Sequence, residues 1–246
     1  RRGRVPNDLQ TLTHLSGLVP TIAVVMGPSA GHGALTAPLM DFVVMVEGAS
    51  LFSAGPPLVK EATGEDVTKD DLGGTAVHTT VSGVAHNAAP ADLDALDLVR
   101  RYLGYFPSSA WQFPPDLAGA DDTAPRDLDA LTDLIPADPR RGYDVRGVVD
   151  LLADRGSLLE VEPAFGRPIV TVLARLGGAP VAIVANQPAA KAGAIDSESA
   201  DKAAHFIDVA EAFHLPLVFL ADNPGVLAGT AAERSGVLRH AARMFA

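Results

Sequence analysis

Short apolar runs recur along this chain, continuous rather than alternating, as strands buried on both faces are. The first is Pro20-Thr21-Ile22-Ala23-Val24-Val25-Met26, stopped by Gly27-Pro28. Similar runs stand at residues 41–46, 157–161, 169–173, 179–184 and 216–221, with a shorter candidate at 50–53. Stretches of helical spacing separate them, and that alternation is the signature of α/β architecture. In residues 91–102, Leu93, Leu96 and Val99, continued by Leu103, predict one apolar helix face. Val145, Val148, Val149 and Leu152 predict another within 144–154. Residues 197–213 read as a helix capped by Ser197 or Ser199, and 231–245 as a final helix. Residues 56–63 read as a helical turn opened by proline, and Gly177-Gly178 as a hairpin turn.

Of the 246 residues, 48% are apolar, enough for a sizeable core and too many for a disordered chain. Cysteine is absent, which excludes disulfide scaffolds, thiolate zinc sites and cysteine nucleophiles, and fits a reducing, cytoplasmic setting. A net charge of −11 speaks against a nucleic-acid partner. No apolar run approaches the ~20 residues that span a bilayer, so no membrane partner is expected. The basic start Arg1-Arg2-Gly3-Arg4, without an initiating Met, and the end at Met244-Phe245-Ala246 inside a helical pattern read as a piece of a longer protein.

Between residues 106 and 142 the pattern changes. Pro107, Pro114, Pro115, Pro125, Pro136 and Pro139 interrupt a stretch rich in Asp, Ala and Gly, which reads as a connecting segment with one short helix near 128–134. Strand, glycine loop and helix occur in order at residues 19–40 and again at 215–244, a faint echo between the halves.

The densest chemical signal is Gly27-Pro28-Ser29-Ala30-Gly31-His32-Gly33, directly after the first strand. Small residues at a strand-to-helix junction let first-turn amides reach an anion or a developing oxyanion. A tight turn that needs glycine for packing alone fits the same residues equally well. The spacing matches neither a dinucleotide fingerprint nor a P-loop. Farther on, His78 and His86 stand eight apart, which is no metal-ligand spacing, and Ser82 lacks a Gly-x-Ser-x-Gly elbow. In the second half Asn186, Gly193, and Asp222 with Pro224 and Gly225 follow strand ends, where α/β folds bind ligands. Asp222 reads first as a cap. Trp111, Tyr102, Tyr105 and Phe106 read as packing, and Lys191 and Lys202 as surface lysines.

Taken in order, the motifs resemble the carboxyltransferase β-subunits of biotin-dependent acyl-CoA carboxylases, the propionyl-, acetyl- and methylcrotonyl-CoA carboxylase family. The glycine loop is followed by Gly55-Pro56-Pro57-Leu58-Val59-Lys60, Leu72-Gly73-Gly74 and Ser82-Gly83-Val84. Then come Tyr143-Asp144-Val145-Arg146, Ala185-Asn186-Gln187-Pro188, Ser199-Ala200-Asp201-Lys202 and Gly236-Val237-Leu238-Arg239-His240. The resemblance covers essentially the whole chain.

It implies a crotonase-like ββα superhelix with parts of two tandem related domains. Residues 1–105 would be the later part of the first, 106–142 the connection, and 143–246 the early part of the second. The implied activity moves CO2 from carboxybiotin to the α-carbon of an acyl-CoA, in fatty acid metabolism. Biotin would arrive on a separate carrier subunit, since no Met-Lys-Met sequence occurs here, and no metal is implied in this component. Gly31 and His32 would supply backbone N–H groups to an oxyanion. Ala30, Gly33, Gly73, Gly74, His78 and Ser82 would meet substrate, and Asn186, Gly193, Asp222, Pro224 and Gly225 the biotin side. The implied partners are a biotin carboxylase and carrier and further β-subunits, commonly in a hexamer. A biotin-linked decarboxylase or transcarboxylase shares the loops, and a non-catalytic assembly subunit is the reading from another class. The family loop carries glycine where this chain has His32. Its ring is expected to narrow the acyl pocket, to add a donor, or to change the substrate or reaction.

Overall fold

The computed structural model describes residues 8–117, 128–138 and 140–246. The basic start at residues 1–4, and Pro125 and Pro139 of the connecting segment, lie outside these. Two compact units make up the chain, Arg1–Leu103 with Ser108–Gln112, and Gly104–Pro107 with Phe113–Ala246.

The first unit opens with α1 (Asp8–Thr13), β1 (Ile22–Val25), β2 (Pro28–Ala30) and a 3-10 helix over Gly31–Leu39. Next come β3 (Phe42–Val46), β4 (Ser50–Phe52), α2 (Pro56–Thr63), α3 (Lys69–Gly73), α4 (Thr75–Thr80), β5 (Asn87–Ala89) and α5 (Asp92–Leu103). β1, β3 and β5 form a parallel sheet with Ile22 opposite Phe42 and Val44 opposite Asn87. β2 and β4 pair in parallel as a separate two-stranded ribbon. Every residue of β3 is buried, as its uninterrupted apolar sequence requires. The His86 ring accepts the Val43 N–H at 2.8 Å, and the Phe42 ring stacks on Tyr102 with centroids 4.2 Å apart.

That stack turns α5 away from its expected phase. Ala95 and Tyr102 face inward, while Leu93 is 74% exposed and Leu96 and Leu103 also face solvent. One large ring on the sheet outweighs a leucine stripe. The acidic stretch before Gly73, which carries no apolar periodicity, is helical too. Thr68 caps α3 by accepting the Asp71 N–H, and Asp70 and Asp71 sit in its first turn, where carboxylates favour the helix.

The second unit runs α6 (Leu131–Leu134), α7 (Val145–Leu152), β6 (Leu159–Val161), β7 (Ile169–Leu176), β8 (Ala179–Asn186) and α8 (Ser197–Ala212). It ends with β9 (Leu217–Leu220), α9 (Thr230–Arg234) and α10 (Val237–Arg243). β6, β7 and β8 are antiparallel neighbours, and β9 joins β8 in parallel at the sheet edge, with Phe219 57% exposed. The Gly177-Gly178 hairpin is present, both residues at positive φ, and the Asp154 carboxylate accepts their amides at 2.8 and 2.7 Å. The Arg175 guanidinium donates to the carbonyls of Gly104, Pro115 and Gly178. Tyr105 donates its hydroxyl to Ser157 O, and Phe106 meets Phe213 edge-on.

Several sequence expectations are corrected here. Asp196, not Ser197 or Ser199, caps α8, with Ser199 completing a capping box from the third position. The final helix is two, broken at Gly236 with φ 76°. Trp111 is 78% exposed rather than packed. Lys202 is 2% exposed, and its ammonium donates to the carbonyls of Glu162 (2.7 Å), Phe165 (3.0 Å) and Ile169 (2.8 Å). A buried carbonyl requires a donor, and one ammonium serves all three. Burial lowers Lys202 to about 8 and raises the adjacent Glu162 to about 7. No helix among the described residues is long and apolar enough to cross a membrane.

Candidate active site

The glycine loop does not run straight from strand to helix. After β1 the chain turns at Gly27-Pro28 into the short β2, and Gly31, at φ +64°, directs it into the 3-10 helix. The cap position is Ala30, whose side chain accepts nothing. First-turn amides, here those of Gly31 and His32, have no acceptor within their own helix. Among the described residues no backbone carbonyl outside the helix and strand ladders accepts from either one. Gly33 packs closely: a Cβ there would lie 3.4 Å from Ser29 Oγ.

Beside this turn lies a cleft of about 550 Å³, lined among others by Leu12, Val24, Ser29, Gly33, Met40 and Leu51. None of its lining residues is charged. His32 is not one of them. Its Nε2 lies 2.9 and 3.0 Å from the two carboxylate oxygens of Asp8 on α1, with both side chains more than half exposed. The hydrogen bond from His32 holds Asp8 below the usual carboxylate range. The ring therefore does not narrow this cleft; it is a donor to α1.

Gly73, Gly74, His78 and Ser82 come together around β4 and do not line the cleft. A Cβ on Gly73 would sit 2.2 Å from Leu51 O, and one on Gly74 would sit 2.7 Å from Asp70 O, so both glycines answer to close backbone approach. His78 Nε2 donates to Leu51 O, and its Nδ1 lies 2.8 Å from Ser82 Oγ.

In the second unit, Asn186, Gly193, Asp222 and Gly225 meet at the carboxyl ends of β8 and β9. Asn223 Nδ2 donates to Asn186 Oδ1 at 2.8 Å, and Asn186 Nδ2 to Gly193 O at 3.2 Å. The Gly225 amide donates to Asn223 Oδ1 at 2.7 Å. A Cβ on Gly193 would lie 2.5 Å from Asp222 O. Lys191, Ala192 and Gly193 take left-handed φ of 49°, 53° and 74° in succession, and Lys191 pairs with Asp196. Asp222 is not a cap: its carboxylate accepts the Tyr143 hydroxyl at 2.9 Å. Burial, joined by that hydrogen bond, pushes the phenol up to about 12. Pro224 lies between Asn223 and Gly225 with no polar contact of its own among the described residues. Tyr143 and Asn223 escape sequence reasoning because their partners stand 79 and 37 positions away. Their only signal is position beside a cap and a strand end. No trio of His, Asp or Glu is placed to hold a metal ion among the described residues.

Residues 9–246 match the carboxyl transferase domain model. A propionyl-CoA carboxylase carboxyltransferase subunit of Haloferax mediterranei is 41% identical over 95% of this chain and 45% of its own length. The methylmalonyl-CoA decarboxylase α-subunit of Veillonella parvula is 40% identical over 95% of this chain and 46% of its own. The chain thus spans less than half of these relatives. The hexameric transcarboxylase 12S core, solved with methylmalonyl-CoA, superposes with a TM-score of 0.90 at 39% identity, covering 95% of this chain and 45% of that one. A single-chain long-chain acyl-CoA carboxylase superposes at 0.84 and 31% identity, covering 99% and 24%. Those neighbours are crotonase-like, and so is the fold described above. With the match running from α1 to the last residue, the chain belongs to the carboxyl transferase domain family.

Proposed function

We propose that the protein carrying this chain is the carboxyltransferase component of a biotin-dependent acyl-CoA carboxylase. It moves CO2 from carboxybiotin on a carrier protein to the α-carbon of a short acyl-CoA such as propionyl-CoA. One observation carries the reading: the glycine turn at Gly31 and His32 opens a 3-10 helix that no side chain caps, beside a cleft whose lining holds no charged side chain. A thioester losing its α-proton places negative charge on its carbonyl oxygen. Fixed N–H donors stabilise that charge without reorganising, and one such donor is typically worth about 3–4 kcal/mol. The absence of charge in the cleft lining strengthens each of them. Donors without competing carboxylates suit a carbonyl-bearing group, as both a thioester and biotin are. Carboxybiotin, when bound, supplies the CO2; this chain's residues hold the oxygen and keep the α-carbon in place.

In this reading residues 1–105 are the later part of the N-terminal carboxyltransferase domain and 143–246 the early part of the C-terminal one, joined by residues 106–142. Asn186, Gly193, Asp222, Pro224 and Gly225 form the biotin side, supported by their convergence at strand ends. Ala30 and Gly33 border the acyl-CoA. The partners are a biotin carboxylase, its carrier and further copies in a hexamer, in the cytoplasm and in fatty acid metabolism.

The reverse direction is compatible with the same likeness, since a decarboxylase subunit is 40% identical where a carboxylase subunit is 41%. Purified protein is supplied with carboxylated carrier and propionyl-CoA, and separately with unloaded carrier and methylmalonyl-CoA, and label is followed into CoA products. Net gain of carboxylate on CoA supports carboxylation. Net loss supports the decarboxylase. No transfer in either direction leaves a non-catalytic assembly role.

A further inference from the structure

The ribbon that carries the Gly31 turn has little to hold it. β2 and β4 are three residues each, and among the described residues no other strand joins them; a two-stranded ribbon is marginal in water. Its register is nevertheless defined, with Ser29 opposite Leu51 and Ala30 opposite Phe52. Support from outside the ribbon converges on the Leu51 carbonyl oxygen and its neighbour Ser50.

Two groups grip that oxygen. The end of α3 closes on it at Gly73, leaving no room for a side chain, since a Cβ there would lie 2.2 Å away. His78 on α4 donates its Nε2–H to the same oxygen. A carbonyl only accepts, so the proton must be on Nε2, and in the neutral ring Nδ1 then accepts the Ser82 hydroxyl at 2.8 Å. The Leu51 carbonyl thereby selects the tautomer, and Ser82 holds the plane of the ring. Next to the gripped residue, Ser50 bridges to Gly74 in antiparallel fashion. Leu51 faces Ser29 across the ribbon, and Ser29 Oγ lies against Gly33, two residues beyond the turn. Leu51, Ser29 and Gly33 also line the same cleft.

We infer that His78, locked by Ser82, is a positioning residue: it clamps the Leu51 carbonyl and so aims the amides of the Gly31–Gly33 turn. Neither side chain then meets substrate, because both ring nitrogens and the hydroxyl are already engaged. The inference rests on the transferase reading for its kinetic arm alone. A donor displaced by a fraction of an ångström loses rate while ground-state binding persists.

The test uses the full-length protein with its carrier and compares His78→Ala, Ser82→Ala and Ser82→Thr. His78→Ala is expected to lower kcat about tenfold to a hundredfold, with KM for acyl-CoA and the number of acyl-CoA sites unchanged. Ser82→Ala, at an exposed position that leaves folding intact, is expected to lower kcat about fivefold, the scale of one hydrogen bond. Ser82→Thr, which keeps the hydroxyl, restores it. A merely structural loss would instead remove binding sites along with rate. Amide hydrogen exchange is measured on the same proteins, whatever their activity. Exchange in the peptide over residues 27–34 is expected to quicken in His78→Ala, while that over β7 and β8 stays as it was. Unchanged exchange at 27–34, or wild-type kcat in His78→Ala, overturns the inference. A wild-type protein that transfers no CO2 removes the transferase reading, and the exchange result then decides the clamp alone.

Discussion

His32 Nε2 lies 2.9 Å from Asp8 Oδ1, and this pair turns the one bulky side chain of the glycine turn away from the neighbouring cleft. The backbone of His32 and its ring therefore serve different ends. The amide stays at the start of the 3-10 helix, where glycine would also place it, while the imidazole fastens α1. A substitution that looks obstructive in sequence is accommodated by a partner 24 positions earlier.

Chain-length selectivity follows from that geometry. His32→Gly is expected to leave the ratio of kcat/KM among acetyl-, propionyl- and butyryl-CoA where it stands. A methylene in a pocket is worth about tenfold or more, so a ratio displaced by that much would place the ring in the acyl path after all.

Gly193 occupies a position that no other residue fits. With φ at +74° and Asp222 O 2.5 Å from the site of a Cβ, Gly193→Ala combines left-handed strain with a backbone collision. The expected loss is about 2–4 kcal/mol, read as a lowered midpoint in urea unfolding. An unchanged midpoint would mean that the two strand-end loops separate freely.

The buried Glu162–Lys202 pair gives stability a defined pH course. The folded Glu162 carboxyl, raised by burial to about 7, favours the fold in its protonated form below its ordinary 4.5, and that advantage is lost as pH rises through about 7. Lys202 is lowered to about 8, so its share is present above 10.5 and lost as pH falls through about 8. Their joint minimum lies between about 7 and 8. Glu162→Gln is expected to gain stability relative to wild type on going from acid to neutral pH in thermal melts. A difference that stays flat with pH would refute this. Lys202→Met, which removes one charge of this buried pair together with a donor to three carbonyl oxygens, is expected to cost about 3–5 kcal/mol.

Tyr143 supplies an alkaline counterpart. Its phenol is raised to about 12, so the protonated form favours the fold below 10 and that contribution fades as pH rises through about 12. Burial is the larger cause and Asp222 the smaller. Asp222→Asn should then bring phenolate absorbance to lower pH without returning it to the ordinary value. Complete return would assign the shift to the carboxylate alone.

The long strands were legible because burial on both faces writes itself as runs of Val, Ile and Leu, as in β3, β7 and β8, whereas β2 and β5, three residues each, carry no such run. The Gly-Gly hairpin was legible because two left-handed residues in a row admit little else. Orientation was less so: α5 carries leucines on its wet side because the Tyr102 ring settles its phase through a partner 60 positions earlier, Phe42. Lys202 reads as a surface lysine since nothing local announces three carbonyl acceptors that come from residues 33–40 positions away. The glycine turn was found by composition. Its supports were not, for the grip of His78 on Leu51 spans 27 positions and has no periodicity to betray it.

β9 closes one border of its sheet with a row of main-chain groups and a half-bare phenyl ring at Phe219. Such a border invites any extended peptide to lie alongside it, another copy of itself included. Preparations of this 246-residue stretch in isolation should therefore self-associate as concentration rises. A lysine in place of Phe219 is the mildest change that would keep them dispersed.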